Sequence, residues 1–111
     1  MSKEFNVGDK INPLEIGQRS FDPKELLSAM RKGAFWTVAS WGAHAFTVHK
    51  DQFARFMVQG RLFSGHVYIA LGWDDTFTLY FTTSRGTIKE KKEMIYVDML
   101  VETIDGYVET K

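Results

Sequence analysis

Between His66 and Thr83, apolar and polar side chains exchange places almost residue by residue. Val67, Ile69, Leu71 and Trp73 fall on one side of that rhythm, and His66, Tyr68 and Ala70 on the other. After Asp74 and Asp75, Phe77, Leu79 and Phe81 resume the apolar side, with Thr76, Thr78, Tyr80 and Thr82 opposite. A period of two marks an extended chain, because successive side chains of a strand point to opposite faces. Two such runs across an Asp-rich turn predict a β-hairpin, and its apolar face must be buried against something. The chain is thereby limited to folds built on an antiparallel sheet with a covered side.

Other segments extend the sheet. Phe53 to Gln59 alternates Phe56 and Val58 with Arg55, Met57 and Gln59, and His44 to Lys50 forms another run. Phe35, Trp36, Thr37 and Val38 are strong strand formers, so they predict a strand, with Trp41-Gly42-Ala43 as a tight hairpin turn. At the C-terminal end the period changes. Val97, Val101, Ile104 and Val108 recur every three or four residues, and Asp98, Glu102, Asp105 and Glu109 follow one position on. Two stripes offset by one residue predict an amphipathic helix. Its start has two readings. Thr87 and Glu90 fit a capping box, which would begin it near Ile88. The preferred reading makes Arg85-Gly86 a turn and residues 87–91 a short strand, with the helix starting near Glu93, since residues 89–93 offer no apolar face. Nearer the N-terminus, Asp22, Pro23 and Glu25 mark a helix start, Leu26, Leu27 and Met30 an apolar face, and Gly33 a stop. The fold expected is α+β: an antiparallel sheet of four to five meandering strands, a C-terminal amphipathic helix on one face and a short N-terminal helix. Residues 1–20 read as an extended arm and 21–111 as a single domain.

The 111 residues suit one domain, and 44% hydrophobic content suffices for one core. With no cysteine, disulfides, thiolate zinc sites and a cysteine nucleophile are excluded. Met1 to Lys10 is charged and lacks a signal-peptide core, and no apolar run approaches the roughly 20 residues of a membrane span. A cytoplasmic protein is expected. Net charge is zero, but Arg31, Lys32, Lys50, Arg55 and Arg61 make the middle basic, and Asp98, Glu102, Asp105 and Glu109 make the C-terminal end acidic.

Motifs for catalysis are missing. Ser64 sits in Phe-Ser-Gly-His rather than in a nucleophile elbow, and the glycines match neither a P-loop nor a dinucleotide fingerprint. His44 and His49 are an odd number of residues apart, so on one regular strand they face opposite sides and do not converge on a metal. The acidic stripe reads as a solvated helix face. No enzyme activity, metal or cofactor is expected.

Binding is the remaining reading. If Phe46, Val48, Phe56, Val58 and the apolar sides of the hairpin face the helix, the other face collects Thr47, His49, Arg55, Gln59, His66, Tyr68, Thr78 and Tyr80. Rings interleaved with cations suit single-stranded nucleic acid, bases stacking while cations follow the phosphates. His49, Arg55, Gln59, His66, Tyr68 and Tyr80 are the candidate binding residues. The competing expectation is a protein–protein adaptor using that face or the acidic helix, with a homodimer as one form. The face would be lost to any ligand if residues 1–33 or a second subunit covered it. Trp36, Trp41 and Trp73 add rings beyond what one core hides, which favours a partner.

Trp41-Gly42-Ala43-His44-Ala45-Phe46, the segment from Gly60 through Arg61-Leu62-Phe63-Ser64-Gly65-His66 to Ile69, residues 82–88 and residues 96–108 resemble uncharacterised small proteins of mobile and phage-like elements of gut bacteria. That resemblance implies no activity and no site residue. The order of elements, several strands and then one helix, is similar to PC4-like and Pur-type single-stranded DNA-binding domains, which implies a nucleic-acid-binding fold by analogy.

Overall fold

The computed structural model describes residues 5–16, 21–33, 35–49, 53–72 and 74–109. Trp73 and Lys50 lie outside them. The elements in order are α1 (Pro13–Ile16), α2 (Pro23–Gly33), α3 (Phe35–Ser40), β1 (His44–His49), β2 (Phe53–Gln59), β3 (Ser64–Leu71), β4 (Phe77–Thr82), β5 (Ile88–Ile95), and a 3-10 turn (Val97–Met99) leading into α4 (Leu100–Val108). The five strands form one antiparallel sheet in chain order, β1-β2-β3-β4-β5. Its centre is regular, with Val67 opposite Phe56 on β2 and Phe81 on β4. Both edge strands carry extra residues: the register shifts once in β1, between His44 and Thr47, and at two places along β5.

The sheet is the middle of three layers. On one face, Phe56, Val58, Val67, Ile69, Leu79 and Phe81 pack against Leu26, Leu27 and Met30 of α2, Val38 of α3 and Leu100, Ile104 and Val108 of α4. On the other, Phe53, Tyr68, Ala70, Tyr80 and Ile88 pack against Phe5, Ile11 and Ile16. Residues 8–11 are tied down by backbone bonds: Gly8 N–H donates to Ile88 O (2.8 Å), Ile88 N–H to Asp9 O (2.9 Å) and Ile11 N–H to Gly86 O (2.8 Å). The N-terminal arm is thus a third layer with one helical turn, α1, inside it.

Two local expectations are corrected. Phe35–Ser40 is a helix, not a strand. Strand propensity measures fit to a half-buried pleated surface, and here the core needs both Val38 and Trp41. Three residues apart, they would point to opposite faces of a strand but share the inner side of a helical turn. Trp41-Gly42 then joins a helix to β1 rather than two strands. Gly42, at φ +62°, supplies the left-handed residue that ends α3. The second correction concerns β5, which runs through the whole charged stretch to Ile95, so the last helix starts later than Glu93. Charges along β5 suit a sheet edge, where only Ile88 and Ile95 are buried.

Candidate functional site

The expected binding set is divided between the two halves of one sheet face. Tyr68 and Tyr80 are each only 4% exposed, beneath the N-terminal layer, so their rings are not open platforms. Nothing in the strand pattern marks this, because Phe5, Ile11 and Ile16 follow no period. Lys91 lies 5.7 Å over the Tyr80 ring. His49 pairs with Phe53 at the end of β1, and its side chain lies outside the described residues.

Arg55, Gln59 and His66 remain on the uncovered half, with His44, Thr47 and Met57. The extra residue of β1 is Ala45, at φ +54°. It sets both His44, opposite Met57, and Thr47, opposite Arg55, on this face, although three positions separate them. Arg55 Nη2 donates to Thr47 Oγ1 (3.3 Å), and its guanidinium carbon lies 6.0 Å from the Tyr68 ring centre. Arg55 Nε is covered and finds no acceptor. His66 stacks beside Tyr68 at 6.3 Å. Burial, and then the Arg55 charge, hold its imidazole below the ordinary value. Among the described residues no group of three or more His, Asp or Glu side chains is placed to hold a metal ion.

On the opposite face, at the β1 edge, lies a groove that the strand alternation does not reveal. Its volume is about 640 Å³, and Lys24, Leu27, Ser28, Arg31, Lys32, Phe35, Phe46 and Val48 line it. Helical spacing builds one wall. With Leu26, Leu27 and Met30 turned into the core, Lys24, Ser28, Arg31 and Lys32 fall on the flank facing β1. Asp22 starts that helix by accepting from the N–H groups of Lys24 (3.1 Å) and Glu25 (3.2 Å). Arg31 and Lys32 stand in its last turn, where the helix dipole favours cations. The Arg31 guanidinium lies 5.3 Å over the Phe46 ring. Phe35 meets Trp36 edge-on at 5.2 Å, and Trp36 is 83% exposed. A smaller cavity of about 140 Å³, lined by Arg31, Phe35, Val38, Ala39, Ala43 and Phe46, prolongs the groove toward the start of β1. No carboxylate is among the described lining residues.

The acidic stripe of α4 is not wholly a solvated face. Asp105 accepts a hydrogen bond from the indole N–H of Trp41 (2.9 Å), and Trp41 is fully buried, stacked on Phe56. That carboxylate serves the fold.

Fold and surface together describe a small α+β protein in which Lys24, Arg31 and Lys32 stand with Phe35, Trp36 and Phe46 along the β1 edge of the sheet. A scan against protein-family models, a search of curated proteins and a search of solved structures each gave no match.

Proposed function

We propose that this is a non-enzymatic accessory protein that binds single-stranded nucleic acid in the groove between α2, α3 and β1. One observation carries the reading: Lys24, Arg31 and Lys32 share a groove with Phe35 and Phe46, with Trp36 beside it, and no described carboxylate lines it. Cations that follow phosphates and rings that stack bases are the two components of sequence-tolerant single-strand binding. A net charge of zero does not oppose this, since the described groove lining holds three cations and no carboxylate, while Asp98, Glu102, Asp105 and Glu109 gather at the C-terminal end. The site differs from the one expected from alternation, because the sheet tyrosines are covered. The irregular β1 edge favours side-chain recognition over capture of a peptide as an added strand, since the bulge interrupts its row of backbone groups. The lack of cysteine suits a reducing cytoplasm. No described helix is long and apolar enough to cross a membrane.

Fluorescence anisotropy with a labelled oligothymidylate tests the reading. Binding is expected to weaken with salt, with a log–log slope of about −2 if three cations each displace counterions from a single strand. The double variant Lys24→Glu, Arg31→Glu should abolish binding while melting at nearly the wild-type temperature. An absence of binding by the wild type at low salt would overturn the proposal. Concentration-dependent self-association in the same sample would then favour the adaptor reading.

A further inference from the structure

The groove and the Arg55 patch lie on opposite faces of the sheet, yet only β1 separates them. Phe46 lines the groove, and its neighbour Thr47 accepts from Arg55 on the far side. The smaller cavity carries the groove to Ala43, and the next residue, His44, already belongs to the far patch. We infer that a bound single strand passes round the β1 edge and that Arg55 holds a second stretch of its phosphate backbone. This rests on the reading of the groove given above.

The charge of Arg55 carries the argument. The residue is half-buried, and among the described residues no carboxylate pairs with it. Its recorded partners are a hydroxyl and the face of a tyrosine ring. Cations removed from water are normally paired, because an unpaired one costs several kcal/mol. A half-buried guanidinium with no carboxylate partner among the described residues matches a phosphate in charge. His44 and Thr47 beside it are exposed. His44 Nδ1–H donates to Gly42 O (2.7 Å), which fixes that ring beside the patch. The described part of the N-terminal layer reaches Tyr68 and Phe53, while His44, Thr47 and Gln59 stay exposed.

The experiment compares oligothymidylates roughly 4 and roughly 12 nucleotides long, spanning the range that single-strand-binding domains occupy. For the wild type, the longer strand should bind more tightly and with a steeper salt slope, by about 0.7 per additional phosphate contact. Arg55→Gln should weaken the longer strand about tenfold, as loss of one charge-assisted contact does, and leave the shorter one unchanged. Gln59→Glu, at an exposed position on the same face, places a repelling charge there and should act likewise even if Arg55→Gln fails to fold. Equal slopes for both lengths, or variants that bind both lengths as the wild type does, would overturn this inference while leaving the groove reading intact. Equal weakening of both lengths would also overturn it, because Arg55 would then be supporting the groove. If the wild type binds neither strand, both fall together.

Discussion

Gly60 and Gly106 lie near or within the last helix, yet a methyl group has opposite consequences at the two. A Cβ on Gly60 would run into the side chain and the carbonyl of Val108, the same carbonyl that accepts from Leu62 N–H. Gly60→Ala is expected to destabilise the protein by about 2 kcal/mol, within the range for overpacking. A Cβ on Gly106 meets nothing within 4 Å. Gly106→Ala should add about 0.5–1 kcal/mol, since glycine inside a helix carries excess conformational entropy. Urea denaturation midpoints read both. His66 offers a further test. Its folded pKa lies below the ordinary 6.5 because burial, and then Arg55, disfavour the imidazolium. The unfolded chain therefore takes up this proton first. The contribution of His66 to stability is complete above the unfolded value and is lost as pH falls through the lower folded one. Thermal midpoints should drop on acidification through that window, and His66→Gln should remove part of the drop. A drop of the same size in the variant would assign it to other groups.

Among the elements, the N-terminal layer has the largest effect on the exposed surface. Phe5 and Ile11 are buried against the sheet, and the bonds from residues 8–11 to the start of β5 hold them there. Phe5→Ala should cost about 3 kcal/mol and uncover Tyr68 and Tyr80. Urea titration checks the energy, and a rise in tyrosine accessibility to a quencher checks the uncovering. This layer also shows where sequence reasoning stops. β3 and β4 are legible because each residue's neighbour two positions away shares its environment. The last helix is legible because its apolar and acidic stripes share one period. Phe5, Ile11 and Ile16 are buried by where the arm lies, which no local rhythm encodes. Phe35–Ser40 misleads for the reverse reason: its residues favour strands, but the demand of Trp41 and Val38 for one common core prevails. Only the start of β5 is legible, as the short strand expected over residues 87–91; the charges that hide its continuation to Ile95 belong there because it is an edge.

At the scale of the whole molecule, the sheet is shared by two apolar cores, so its central strands are buried on both faces. The sequence predicted one covered face; the second follows only once the arm is placed. The candidate site was legible in part. Arg31 and Lys32 stand out in a basic stretch, and Arg55, Gln59 and His66 do lie together on an uncovered surface. The groove itself is assembled from a helix flank, a short helix and an edge strand, and the accessibility of Phe35 depends on α3 being helical. Ala45 has a consequence beyond either surface. Without it, His44, Phe46, Thr47 and Val48 would alternate without interruption, giving a straight outer strand free of lysine, glutamate and proline. Such a strand is a template on which further copies stack into insoluble aggregate. One inserted alanine, held in a left-handed backbone conformation, breaks that template, so the colloidal stability of the protein rests partly on a residue with almost no side chain.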